Sequence, residues 1–158
     1  METVVYLLTG LPGSGKTTYA KALERRGVVR LSVDERVVAR RGRLGKDYPE
    51  SEHLALLGGV IDEVRRELVG LVEAGRSVVL DHGLGTKIER DAYKQLVTTH
   101  GANWRLVHFP VPRHELLRRL AIRNDEADSG LISPSTLDWI AEHSEEPVDE
   151  GEETPDFA

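Results

Sequence analysis

The hydrophobic pattern splits the chain into short apolar runs separated by longer stretches in which apolar residues recur three or four apart. Residues 4–8, 28–33, 77–80 and 104–109 are short, rich in β-branched side chains and nearly free of charge. They predict four strands. After the first run, Tyr19, Ala20, Ala22 and Leu23 predict a helix that stops at Gly27. Leu54, Leu57, Ile61, Val64, Leu68 and Leu71 mark the core face of a long helix, opened by residues 47–51 and closed at Gly75. Gly58 and Gly59 inside it cost about 1 kcal/mol each relative to alanine, so the pair marks a close approach of backbone or ligand, or a tolerated kink. Further helices are expected around Ile88, Ala92, Leu96 and Val97, over residues 113–124, and after the Ser133-Pro134 cap with Leu137, Trp139 and Ile140. Strands alternating with helices predict one α/β domain: a central, mainly parallel sheet of four or five strands, covered by helices on both faces.

Between the first strand and the first helix stands Gly10-Leu11-Pro12-Gly13-Ser14-Gly15-Lys16-Thr17-Thr18. A strand, a glycine-rich turn and a helix opening on Gly-Lys-Thr form the setting of a phosphate-binding P-loop. Glycines let successive N–H groups turn inward as an anion cradle at a helix N-terminus. Lys16 can then reach the β- and γ-phosphates of ATP or GTP, and the Thr17 hydroxyl can ligate Mg²⁺.

Other candidates fall at the carboxyl ends of the strands, where open parallel sheets place their ligands. Asp34 ends the second strand and can accept the proton of an attacking hydroxyl; the competing reading makes it a helix N-cap. Arg36, Arg40, Arg41, Arg43 and Lys46 form a basic segment, either a solvated face or a flap whose arginines meet an anionic substrate. Asp81, after Val78-Val79-Leu80, has the place of a Walker B carboxylate near Mg²⁺, and His82 follows it. Lys87 and Arg90 lie at the start of the next helix, where cations oppose the helix dipole and hint at a nearby anion. Arg119 and Arg123, four apart, share a helix face from which they can steady phosphate charge, or they form a solvated face with Glu115.

Bulk properties narrow these readings. With 158 residues the chain fits one domain, and its net charge of −6 argues against a general nucleic-acid or anionic-membrane binder. The absence of cysteine excludes disulfides and thiolate catalysis and fits a reducing compartment. The chain opens directly into a strand without a signal-like segment, so a cytoplasmic protein is expected. The six histidines show no metal-ligand spacing. Beyond His143 the Glu/Asp-rich stretch is expected to lack regular structure for much of its length.

Taken together, Gly10-x-x-Gly13-x-Gly15-Lys16-Thr17, Leu31-Ser32-x-Asp34, Val78-Val79-Leu80-Asp81 with Arg90 nine residues on, and Leu116-x-x-Arg119-x-x-x-Arg123-Asn124 resemble the P-loop kinases. That group includes polynucleotide 5′-hydroxyl kinases, zeta toxins, chloramphenicol phosphotransferase and small unassigned ATP-binding, AAA-type proteins. The tail sequence Glu145-Glu146-Pro147-Val148-Asp149-Glu150 is most similar to that last subgroup. Polynucleotide kinases carry an arginine three residues after the base, where this chain has Val37.

The resemblance implies a three-layer P-loop NTPase fold with strand order 2-3-1-4. It implies ATP and Mg²⁺ as cofactors, Lys16, Asp34, Arg119 and Arg123 as catalytic residues, and Thr17 and Asp81 at the metal. Gly10, Pro12, Gly13, Ser14, Gly15, Thr17 and Thr18 would hold the nucleotide, and Asp34, Arg36, Asp81, His82 and Arg90 would face the acceptor. Residues 1–150 form the expected kinase-like domain, with a lid at about 113–130 and an acidic tail at 151–158. The expected reaction is γ-phosphoryl transfer to a hydroxyl of a small molecule. The alternatives are a nucleotide or polynucleotide 5′-hydroxyl acceptor, or a regulatory switch with no acceptor.

Overall fold

A computed structural model describes residues 2–125 and 132–155. Strands β1 (Val4–Thr9), β2 (Val29–Ser32), β3 (Val78–Asp81), β4 (Asn103–His108) and β5 (Glu152–Glu153) form one sheet in the order β2-β3-β1-β4-β5. Every neighbouring pair is parallel. The expected order 2-3-1-4 is observed, with a fifth strand added at the β4 edge.

Register explains why the runs are so apolar. Leu31, Leu80, Leu7 and Leu106 stand in one row across four strands, none more than 3% exposed. Val33 and Val37 of α2 (Val33–Arg41) pack against this face. So do Val60, Val64, Leu68 and Val72 of α3 (His53–Glu73), and Tyr93 and Val97 of α4 (Lys87–Thr99). On the opposite face Leu8, Val79 and Val107 pack with Phe109 and with Ala20 and Leu23 of α1 (Lys16–Glu24). Strands covered on both sides have no solvent face on which to place polar residues. A third cluster, Leu116 and Leu120 of α5 (Arg113–Asn124), Leu137 of α6 (Pro134–Glu142) and Ile132, brings α5 against Gly13. Among the described residues no helix is long and apolar enough to cross a membrane.

Three expectations change. The second strand stops at Ser32, whose hydroxyl accepts the Glu35 N–H at 3.1 Å and caps α2. Asp34 therefore lies in the first turn of a helix, neither ending a strand nor capping. Residues 36–41 of the basic segment are helical, and the loop after Gly42 is held by Asp47, which accepts from the Arg43 N–H at 2.7 Å and from Arg43 Nε at 3.0 Å. Among the described residues a Cβ on Gly58 or Gly59 would meet nothing within 4 Å, so none of their backbone approaches the pair closely. The stretch beyond His143 lacks regular structure over most of its described length, as expected; the exception is β5, which pairs Glu152 with Leu106 and Glu153 with Val107. Leu54 and the polar loop beyond Asp125 lie outside the described side chains and residues.

The Ser32 cap fixes the turn that carries Asp34. Ser32→Ala is expected to lower the unfolding free energy by about 1 kcal/mol, measured by urea denaturation, with Ser32→Asp retaining most of it.

Candidate functional site

The P-loop geometry follows from its glycines. Gly10 leaves β1 with no room for a Cβ, which would lie 2.6 Å from Ser14 Oγ and 3.2 Å from the Phe109 carbonyl. The Ser14 N–H donates to the Leu11 carbonyl at 3.1 Å, and Gly13 and Gly15 take left-handed φ values of 87° and 103°. Gly15 is the N-cap of α1, so the first-turn N–H groups of that helix open onto the loop. Pro12 is half-buried in the turn, Ser14 is buried, and Thr18 is exposed on α1.

Lys16 Nζ donates to the carbonyls of Gly10 at 2.7 Å and Leu11 at 2.9 Å, and to Ser14 Oγ at 3.4 Å. Burial lowers its pKa to about 8, against the pull of Asp34 and Asp81, and the positive charge of Arg123 adds to the lowering. Thr17 Oγ1 donates to Asp81 Oδ1 at 3.2 Å, and Arg30 Nη1 donates to Asp81 Oδ2 at 2.9 Å. Burial pushes the Asp81 carboxyl up, while Thr17 and Arg30 oppose the shift. Two hard oxygens, Thr17 Oγ1 and Asp81 Oδ1, thus sit side by side next to the loop, a donor pair of the kind Mg²⁺ takes when phosphates and water complete its shell.

Asp34, at the start of α2, lies within electrostatic reach of Lys16, Asp81, His82 and Tyr48. Burial lowers the His82 imidazole, opposed by Asp34 and Glu89. Gly83 closes the cluster: a Cβ there would lie 3.2 Å from the Gly10 carbonyl and 3.3 Å from Lys16 Cε. From α5, Arg119 Nη1 donates to the Gly13 carbonyl at 3.2 Å and Nε to Glu115 Oε1 at 2.9 Å. Glu115 also receives two bonds from Arg118, and these cations draw its carboxyl down to about 2.

Two sequence candidates are not brought to the cluster. Arg36 donates to Glu63 at 3.0 Å and Glu67 at 2.6 Å on α3, and Arg40 pairs with Glu63. Arg90 is fully buried and grips Glu150 through two bonds. Three contributors are absent from the sequence reading: Arg30, Tyr48 and Thr9, whose Oγ1 donates to the Leu84 carbonyl at 2.7 Å. Arg30 carried a usable signal, because an arginine inside an apolar strand requires a buried carboxylate. Thr9 and Tyr48 carried none.

The architecture agrees with known proteins. A family model described as an AAA domain matches residues 5–147. The UPF0200 protein PAE1629 of Pyrobaculum aerophilum is 35% identical over 95 residues, which are 60% of this chain and 54% of that protein. The chain thus spans about half the length of this curated relative. A chain of the Pnkp1/Rnl/Hen1 RNA repair complex superposes with a TM-score of 0.74 at 21% identity, covering 89% of this chain and 43% of that one. The APS kinase of Mycobacterium tuberculosis, in complex with AMPPNP and APS, gives a TM-score of 0.62 at 19% identity, covering 99% and 91%. At such identities the likeness is one of fold.

The lowered Lys16 pKa has a measurable consequence. The unfolded chain binds more protons than the folded one between pH 8 and the ordinary value of 10.5, so this group makes stability rise with pH across that window. Relative to Lys16→Met, nucleotide-free wild type is expected to gain up to about 3 kcal/mol of unfolding free energy between pH 7 and 10.5. A difference constant over that range would mean that Lys16 keeps its ordinary pKa.

Proposed function

The chain belongs to the AAA-domain family and has a P-loop kinase-like fold, and from that premise we propose that it transfers the γ-phosphoryl group of ATP to a hydroxyl of a small molecule. The observation that supports this reading is the buried Lys16 of the P-loop beside the Thr17–Asp81 oxygen pair, with Asp34 of α2 within electrostatic reach of both Lys16 and Asp81. An anion cradle, an oxygen pair for a divalent ion and a spare carboxylate are the parts phosphoryl transfer needs.

In this reading the α1 N-terminus and Lys16 hold the phosphates, and Arg119 and Arg123 approach from α5, the lid. The acceptor oxygen bonds to the γ-phosphorus as its proton passes to the Asp34 carboxylate. The β–γ bridging bond then breaks and ADP leaves. Thr17 and Asp81 would hold Mg²⁺, which when bound supplies charge neutralisation at the phosphate oxygens. Asp34 and His82 face the acceptor. Arg36 and Arg90 take no part in binding it, because each is already committed to protein carboxylates.

A small acceptor is favoured over a polynucleotide by the ion pairs of the basic segment. Arg36 and Arg40 are matched by Glu63 and Glu67, and Arg43 by Asp47, which lowers the positive field these three offer a phosphate chain. The lack of cysteine suits a cytoplasmic enzyme.

Transfer from γ-labelled ATP with Mg²⁺ should appear in pooled sugars, nucleosides or hydroxylated antibiotics. Asp34→Asn should lower kcat by roughly 10²–10⁴-fold with an unchanged melting temperature, and Lys16→Ala should abolish transfer. Label in oligonucleotides would reassign the acceptor, and undiminished turnover in Asp34→Asn would remove Asp34 from the mechanism. Nucleotide binding without transfer to any pool would favour a switch.

A further inference from the structure

The Glu/Asp-rich stretch beyond His143 is tied into the molecule at its most buried cation. Arg90 is 0% exposed, and its Nε and Nη2 donate to the two Glu150 carboxylate oxygens at 2.7 and 3.0 Å. The backbone around Glu150 is shaped to deliver that carboxylate. Asp149 has a φ of 53°, unfavourable for a residue with a Cβ, and Gly151 has a φ of 80°, with a Cβ position 3.0 Å from the Trp104 ring. Lys94 Nζ donates to the Glu150 carbonyl at 2.6 Å while lying 4.4 Å from the Trp104 ring centroid. Conformations of this cost persist where surrounding contacts over-determine them.

The third Arg90 bond gives the clamp its reach. Nη1 donates to the Leu84 carbonyl at 3.0 Å, and Thr9 Oγ1 donates to the same oxygen at 2.7 Å. The Leu84 N–H donates to the Leu8 carbonyl at 3.2 Å, and the Glu145 N–H donates to the Gly85 carbonyl at 2.6 Å. Residues 82–86 are thus held from β1, from α4 and from the C-terminal stretch at once. They form the loop whose Gly83 lies against Lys16.

We infer that the Arg90–Glu150 pair, acting through the Leu84 carbonyl, is a positioning pair that sets the 82–86 loop against the P-loop lysine. The C-terminal stretch is then a working part of the site. Its effect on turnover rests on the phosphotransfer reading above; its effect on the loop does not.

An ion pair that merely staples the chain end would fix residues 147–153 and nothing else. The two roles separate in Arg90→Met combined with Glu150→Leu, which removes both charges together and avoids a stranded one. Amide hydrogen exchange of the full chain is the readout. We expect residues 82–86 to exchange about tenfold faster than in wild type, at a melting temperature within a few degrees of it. Faster exchange confined to residues 147–153 would overturn the proposal. If the double variant does not fold, Glu150→Gln, which keeps the shape and one acceptor, is read by the same two outcomes. Where transfer is measurable, kcat should fall about tenfold with the nucleotide KM little changed, because the displaced loop alters Lys16 placement rather than the cradle. Failure to find any acceptor would count against the phosphotransfer reading and leave the exchange result intact.

Discussion

A carboxylate at the end of a strand buried along its whole length has to be matched by cations and donors brought from elsewhere in the chain. Asp81 is that carboxylate. Thr17 reaches it from α1 and Arg30 from β2, so one side chain ties the phosphate-binding helix and the neighbouring strand to β3. Arg30 also pairs with Glu35 in the first turn of α2 and reaches Glu24 of α1 at 3.7 Å, which carries the tie across the segment bearing Asp34. Buried ion pairs contribute little net stability once desolvation is counted. Their consequence here is geometric, since the parts of the site cannot drift apart without exposing an unmatched charge.

The same low-dielectric setting governs Lys16. Burial works against its charge, and Asp34 and Asp81 restore part of what burial takes. Its ammonium bonds run to the carbonyls of its own loop, and Gly83, lacking a Cβ, leaves the room that the Lys16 stem occupies. A cation held by dipoles rather than by a single carboxylate can turn toward an arriving anion without breaking a charged pair. Arg119 is held in a similar way, between the Gly13 carbonyl and Glu115. Catalysis by preorganised charge asks for such arrangements, because the groups are in place before charge develops.

How far the sequence discloses all this varies with the range of the interaction. The P-loop was legible because its residue types and spacing are imposed by backbone conformation over nine consecutive positions. The strand runs were legible because burial on both faces leaves an unbroken apolar signature. Asp34 was placed at the right end of the sheet but on the wrong element, since a strand ending one residue earlier looks the same until the Ser32 cap is seen. Arg36 looks poised for substrate in the sequence because it stands beside a candidate base, and only the packing of α2 on α3 reveals its ion pairs with Glu63 and Glu67. Gly58 and Gly59 carried a cost with no visible compensation, and their open surroundings supply no structural reason for them.

The C-terminal stretch shows where composition stops being informative. Glutamates, prolines and glycines ordinarily mark a chain that cannot bury enough apolar surface to order itself. An acidic residue can also be ordered by a buried cation waiting for it, and this requirement is written at the cation's position, not at its own. Arg90 stands in the first turn of α4, where a positive charge opposes the helix dipole, and that placement pointed to an anion nearby. The anion is Glu150, sixty residues on. Beyond Glu150, Glu152 and Glu153 run alongside β4, with Arg105 paired to Glu153, and two residues without any strand signature become the edge of the sheet. Charge matching at one buried site thereby fixes backbone structure that local propensity does not encode.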